Sequence, residues 1–131
     1  MAATPQPGTI PSRQPLAANL NNIMIIGEVF EKMALSFPDT EQKPHFDRIA
    51  FKVIGKRMFA TYFEEHNTAN IFLTLDEQKR FCKMDDENIY PVPNKWGEKG
   101  ITTFELDMVA KDIVQEALSS AYNEIVKKKK K

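Results

Sequence analysis

The fold is decided by residues 45–75, HFDRIAFKVIGKRMFATYFEEHNTANIFLTL. Three runs in this stretch, residues 46–53, 57–63 and 71–74, are rich in β-branched and aromatic side chains, which is typical of strands. Short turns separate the runs, one around Gly55, where a positive φ costs little, and the other formed by EEHNTAN. Neighbouring strands joined by short turns pair directly, so this stretch predicts an antiparallel meander.

Helical patterns flank the meander on both sides. Apolar residues recur at three- and four-residue steps over residues 23–37, and Pro38 ends this helix. Further helices are predicted over residues 74–84 and 106–125, with another strand at residues 101–104. Helices at both ends of an antiparallel sheet predict an α+β two-layer sandwich. We expect its core to contain Phe30, Phe51, Phe59, Leu73, Phe104, Ile113 and Leu118.

The chain of 131 residues has room for one domain with a modest core. Residues 1–21 carry four prolines and few large apolar side chains, which predicts a disordered N-terminal arm. A single α+β domain is expected over residues 22–126, followed by a basic tail, Lys127 to Lys131. The single cysteine, Cys82, fits a reducing cytoplasm, and we expect a partly buried side chain there rather than a reactive thiol.

Composition, with 42% hydrophobic and 27% charged residues, is that of a soluble globular protein. No apolar run approaches the roughly 18 residues of a membrane span, and the N-terminus lacks the features of a signal peptide. The net charge of zero hides an asymmetry, because residues 22–126 contain all 18 acidic residues but exclude Arg13 and the lysine tail. Nucleic-acid binding would therefore need a local basic patch or the tail.

The motifs of catalysis and metal binding are missing from the sequence. There is no HExxH, no CxxC, no phosphate-binding loop and no nucleophile elbow. His45 and His66 are 21 residues apart, and the acidic run at residues 85–87 is typical of a solvated loop. An enzyme needs convergent groups, so we predict no catalytic residue, no metal and no cofactor.

A family resemblance is carried by three blocks. They are LSFPDTEQKPHFDRIAFKVIGKRMFAT (35–61), LTLDEQKRFCKMDDENIYPVPNKWGEKGITTFEL (73–106) and ALSSAYNEIV (117–126). Together they resemble the MmcQ/YjbR family, and most of all its branch with a PNKWGxxG motif, over about residues 23–126. The resemblance implies a CyaY-like α+β fold, a small cytoplasmic bacterial protein, and DNA binding through two β-hairpins acting as paired wings. Ile101 stands where that branch usually has a second tryptophan.

Two interpretations of the basic positions remain open. In a DNA- or RNA-binding protein, lysines would contact phosphates and Trp96 would stack on an unpaired base. In the alternative, the chain is a module for an unknown protein partner or small ligand, in the groove between sheet and helices, and the lysines are merely solvated. Neither involves a membrane. The candidate nucleic-acid-binding residues are Lys52, Lys56, Arg57, Lys95, Trp96 and Lys99.

The two interpretations differ in geometry. Convergence of the five cations on one face favours nucleic acid, whereas scatter among the carboxylates disfavours it. For Trp96 itself we expect a side chain at least half buried, which anchors the loop from Pro91 to Gly100 with Lys95 and Lys99 in solvent. The stiff prolines, the two glycines and the absence of another large side chain nearby favour that role.

Overall fold

A six-stranded antiparallel sheet and four helices make up residues 25–128, the part of the chain that this computed structural model describes. The strands are β1 (Thr40–His45), β2 (Arg48–Val53), β3 (Met58–Phe63), β4 (Thr68–Phe72), β5 (Ile89–Pro91) and β6 (Ile101–Glu105), in the spatial order β1-β2-β3-β4-β6-β5. The helices are α1 (Gly27–Leu35), α2 (Leu75–Met84), α3 (Lys95–Glu98) and α4 (Lys111–Lys128). The predicted arm, residues 1–21, and Lys129 to Lys131 of the predicted tail lie outside the described residues.

The three long helices pack on one face of the sheet. Phe30 of α1 meets Phe51 with ring centroids 5.6 Å apart, and Phe81 of α2 meets Phe104 at 6.0 Å. Tyr122 of α4 lies against Phe59, also at 6.0 Å. The predicted α+β two-layer architecture is therefore confirmed. Within residues 25–128 no long helix lies across the opposite face, which we call the open face.

The expected core is largely confirmed. Six of its seven members are at most 5% exposed, and Ile113 is partly buried against the others. A register shift between β2 and β3 adds one feature that simple alternation would not give. Phe59 and Ala60 are consecutive and both fully buried, because the irregularity turns both toward the core instead of to opposite faces.

The main differences from the sequence-based expectation concern β1, β4 and α4. Strand β1 was not predicted, because its sequence TEQKPH is polar and lies at the sheet edge, where Pro44 is tolerated. Strand β4 begins at Thr68 rather than Ile71, after a turn in which Asn67 has a φ of 52°. Helix α4 begins at Lys111, because the residues after β6 first form a turn that buries Leu106.

Candidate functional site

A groove of about 580 Å³ runs across the middle of the open face. Its floor includes Thr61 of β3 and Asn70 of β4, with Arg48 of β2 beside them. Phe46 and Trp96 line it as well, and the sheet order places them on opposite sides, since Phe46 precedes β2 and Trp96 follows the edge strand β5. The groove is therefore bounded by two aromatic side chains and floored by polar strand residues.

Two further depressions continue the groove at either end. One, of about 400 Å³, shares Met58, Phe72, Trp96 and Ile101 with the groove and adds Arg57 and Lys99. The other, of about 550 Å³, shares Arg48, Asn70 and Val92 and adds Phe63, His66, Tyr90 and Glu105. We call the groove and these two depressions together the trough. It provides an elongated surface that lies mostly on the open face, and Glu124 of α4 lines one of its ends.

The loop that carries Trp96 is held by glycines and a buried glutamine. Gln78 of α2 is 7% exposed, and its Nε2 donates to the carbonyl oxygens of Gly97 at 2.9 Å and Ile101 at 3.3 Å. A Cβ on Gly97 would overlap the Val92 carbonyl, well inside the 3.0 Å that real Cβ contacts respect. Gly100, with a φ of 113°, approaches the Leu73 carbonyl in the same way. Close backbone packing therefore fixes this loop.

The expectation for Trp96 was wrong. Trp96 is 58% exposed, and close packing of the Gly97 and Gly100 backbone, rather than burial of the indole, holds the loop. The expectation for the neighbouring lysines is confirmed, since Lys95 and Lys99 are both exposed. The Nζ of Lys99 lies 5.4 Å from the centroid of the indole ring, a distance at which a cation and an aromatic face attract each other. The tryptophan is thus a surface group beside a positive charge.

Phe46 is exposed at the tip of the β1–β2 hairpin. Cross-strand pairing of His45 with Arg48 leaves Phe46 and Asp47 as a two-residue turn. Phe46 has a φ of 60°, a conformation that glycine or asparagine usually supplies in such turns, and its side chain is 94% exposed. The His45 ring, 4.9 Å away, is its aromatic neighbour. A strained and exposed phenylalanine gives the free fold no evident benefit.

Two polar groups of the groove have no hydrogen-bond partner among the described residues. They are Nη1 of Arg48 and Oγ1 of Thr61, and both atoms are buried. The Arg48 guanidinium lies over the Phe63 ring, 4.6 Å from its centroid. Asn70, in contrast, accepts a bond of 2.8 Å from the Thr103 hydroxyl through Oδ1, which leaves its amide nitrogen as a donor. The groove floor is therefore rich in hydrogen-bond donors.

The six sequence-predicted site residues lie near one end of the sheet. Strand register places the β2–β3 turn at the same end as the loop between β5 and β6. Arg57, Trp96 and Lys99 line one common depression there. Its lining does not include Lys52, Lys56 or Lys95. Lys52 is nevertheless the cross-strand partner of Met58, and Met58 does line the depression. The structure thus brings three of the six together and places the other three nearby.

Negative charge is sparse in the trough. Of the 18 acidic residues, its lining includes Glu105 and Glu124. Glu105 accepts a hydrogen bond from the hydroxyl of Tyr90, and this bond, together with burial, raises the pKa of Tyr90 to about 12. Tyr90 is therefore protonated at neutral pH and offers no nucleophile. In α2, burial raises the pKa of the half-buried Cys82 thiol, which does not favour the reactive thiolate.

Residues 25–128 contain no group of three or more histidine, cysteine or acidic side chains placed to hold a metal ion. None of the helices in this range has the length and apolar character needed to cross a bilayer.

Sequence reasoning missed four residues of the groove: Phe46, Arg48, Thr61 and Asn70. Phe46 was placed inside a strand, although an aromatic residue next to Asp47 in a two-residue hairpin turn is unusual and could have drawn attention. Arg48 lies on the polar side of β2, where it resembles any solvated strand residue. No sequence feature indicates that the Thr61 hydroxyl is buried without a partner, because that depends on contacts across three strands.

The fold and the groove together define a small α+β domain with one covered and one open sheet face. The family model for YjbR matches residues 35–124, and the chain belongs to the YjbR family. Its structure is similar to the crystal structure of Deinococcus radiodurans protein DR2400, a DUF419 domain, with a TM-score of 0.66. The two chains are 18% identical, and the match covers 79% of this chain and 80% of the other. No curated protein matches the chain.

Proposed function

We propose that this protein is a non-enzymatic, cytoplasmic nucleic-acid-binding protein that holds single-stranded DNA or RNA in the trough. The observation that carries the proposal is the pair of exposed aromatic side chains, Trp96 and Phe46, on either side of a groove with basic neighbours. Proteins that bind single strands combine a basic path for the backbone with aromatic side chains on which bases stack. The trough offers both on an uncovered sheet.

Charge supports the same function. Arg48, Arg57 and Lys99 line the trough, and the chain's carboxylates lie mostly elsewhere. The domain as a whole is acidic, so attraction of a polyanion depends on this local distribution rather than on net charge. Lys52, Lys56 and Lys95 near the same end of the sheet extend the basic region, which is where a phosphate backbone leaving the trough would pass.

An unpaired strand fits the trough better than a duplex. Trp96 and Phe46 can stack only on a base whose face is free, and bases in a duplex already stack on each other. Stacking of one base on an aromatic side chain is worth roughly 1–3 kcal/mol. A duplex would contact the lysines through phosphates alone, so we expect it to bind more weakly and with little dependence on Trp96.

The test uses Trp96 as its own probe, since it is the only tryptophan in the chain. Titration with 12-nucleotide single strands should quench its emission, and a hairpin duplex of the same length should quench it less. Labelled single strands followed by anisotropy should bind Trp96→Ala about 5- to 150-fold more weakly at constant salt, from the stacking energy above. No binding of any single strand at low salt would contradict the function.

A charge series separates the basic region from the rest of the surface. Replacing Lys56, Arg57, Lys95 and Lys99 together by glutamine should weaken binding and flatten its salt dependence by about 0.7 units per lost phosphate contact. The matched control replaces four lysines on the helices, where binding should not change. Equal effects of both sets would show that attraction is diffuse and not located at the trough. The control lysines are Lys32, Lys79, Lys83 and Lys111.

A small-ligand module is the second candidate. The groove volume of about 580 Å³ falls within the roughly 300–1,000 Å³ of small-molecule sites, and its two unpartnered donors suit a ligand with acceptor atoms. Saturable stabilisation by free nucleosides or other small heterocycles, with no binding of oligonucleotides, would favour this candidate.

A further inference from the structure

The groove is lined by two residues that each carry a buried polar atom without a hydrogen-bond partner in the described part of the chain. Thr61 is 4% exposed, and neither its Oγ1 nor the Nη1 of Arg48 has a partner among residues 25–128. Buried polar groups are nearly always paired, since an unmade bond costs the group its hydration without compensation. The residues that carry these atoms both line the groove, and a change of their side-chain rotamers on binding would bring both atoms to one ligand.

The chemistry of these groups restricts the ligand. Arg48 can only donate hydrogen bonds, and the free amide nitrogen of Asn70 on the floor is also a donor. A hydroxyl such as that of Thr61 donates or accepts as required. The complementary ligand presents acceptor atoms along one edge and an aromatic face toward Trp96 or Phe46. An unpaired nucleobase with an exocyclic oxygen has both.

We propose, resting on the proposed function, that the groove is a pocket for a single unpaired base and selects bases with an exocyclic oxygen over adenine. Guanine, cytosine, thymine and uracil each offer an oxo group to Arg48 and Thr61. Adenine has no exocyclic oxygen, and its amino group stands where guanine has an oxo group, so there a donor faces a donor. Selection arises at the groove floor, whereas overall affinity arises from stacking and from the cations at the end of the sheet.

The test compares hypoxanthine with adenine, two purines of equal size that differ in an oxo or an amino group at position 6 and in the proton that the oxo form carries on N1. Each stands as the single base at the centre of an 11-nucleotide strand of abasic sites, so no other base can occupy the pocket. Anisotropy at low salt should show the hypoxanthine strand binding about two- to ten-fold more tightly, as expected for one hydrogen bond gained or lost. Equal binding of the two strands would overturn the pocket.

Thr61→Val is the decisive variant. Valine has the shape of threonine without the hydroxyl, so it should reduce the preference for hypoxanthine toward unity. It should also leave the melting temperature unchanged or raise it, because the lost hydroxyl has no partner among residues 25–128. Thr102→Val is the matched control. That hydroxyl, buried on the covered face, donates to the Gly100 carbonyl at 2.9 Å, so this variant should melt earlier and keep the preference.

Arg48→Lys keeps the charge and removes the planar donor edge. It should lower the preference for hypoxanthine while the salt dependence of binding stays the same. If Thr61→Val keeps the full preference, or melts earlier as Thr102→Val does, the assignment of the groove floor is wrong. Binding of single strands without any base preference would agree with the proposed function but contradict the base-selective pocket. Absence of binding in every strand would overturn both.

Discussion

Alanine substitution at Gly97 and Gly100 of the Trp96 loop, and at Gly55 of the β2–β3 turn, separates two reasons why a turn requires glycine. Gly55 has a φ of 77° and open space around it, so Gly55→Ala meets only the cost of a left-handed backbone. Gly97 has no unusual φ but touches the Val92 backbone, so Gly97→Ala meets only steric overlap. Gly100 has both features, since it combines a φ of 113° with close approach to Leu73.

The expected losses follow from these contacts. An alanine in the left-handed backbone conformation costs about 1–2 kcal/mol. Alanine also reduces the conformational freedom of the unfolded chain, which offsets part of this cost, so Gly55→Ala should lose about 0.5–1 kcal/mol of unfolding free energy. For Gly97→Ala the loop must open until the new Cβ lies at least 3.0 Å from the Val92 oxygen. That movement strains the hydrogen bonds from Gln78, and a loss of about 2–4 kcal/mol results. Gly100→Ala should lose the most.

Urea denaturation followed by far-ultraviolet circular dichroism measures the series without relying on the tryptophan. In a thermal melt, the same loss of unfolding free energy should lower the melting temperature of Gly97→Ala by roughly 10–25 °C relative to the parent. Its indole emission should also shift in the folded state, because the loop has moved. If Gly97→Ala unfolds at the same urea concentration as the parent while Gly55→Ala unfolds earlier, close packing does not hold the loop and the argument fails.

Three further predictions concern the rest of the fold. Phe59→Ala should lose about 3–5 kcal/mol of unfolding free energy in urea denaturation, since this fully buried ring packs between helix and sheet; an unchanged midpoint would contradict its place in the core. Asn67→Gly keeps the positive φ but removes the side-chain bonds to Tyr62, Ile25 and Asp107, and should cost about 1–3 kcal/mol by the same measurement. Because the pKa of Tyr90 is about 12 in the folded protein and 10.0 is its ordinary value, the stability from its bond to Glu105 should be complete below pH 10 and disappear as pH rises through 12. Tyr90→Phe should flatten that alkaline loss, and an unaltered pH profile would refute the assignment.

The central strands could be predicted because the residues that determine them are close together in the sequence. Strands β2 and β3 are rich in β-branched and aromatic residues, and the turn around Gly55 joins them directly. Strand β1 could not be predicted, because a polar edge strand buries little and leaves no periodic pattern; its residues are mostly exposed. The burial of Phe59 was expected correctly, but the register shift that turns it to the same side as Ala60 has no counterpart in the sequence.

The candidate site was harder to predict than the fold. The basic positions were visible as residue types, and Arg57, Trp96 and Lys99 do meet in one depression. The sequence could not show that Trp96 is exposed, because this depends on the contact between Gly97 and Val92 and on Gln78 reaching across from α2. Arg48 and Thr61 become notable only when their unmade hydrogen bonds are known, and those require coordinates. Long-range packing therefore decides which residues of the site matter.

Several side chains of the groove contribute less to the stability of the free protein than other residues at the same positions would. Trp96 is 58% exposed, so more than half of its surface gives no burial to folding. Glycine at position 46 would adopt the turn without the strain that Phe46 meets, and valine at position 61 would avoid an unpaired hydroxyl. Each feature is unfavourable or neutral for the free fold, yet all three line one concave surface. Clusters of residues that are unfavourable for the stability of the free protein are typical of functional sites, where such residues make contacts only with a ligand. A ligand with an aromatic face and hydrogen-bonding atoms along its edge would cover the exposed rings and pair with the polar groups of the floor, as the proposed function requires.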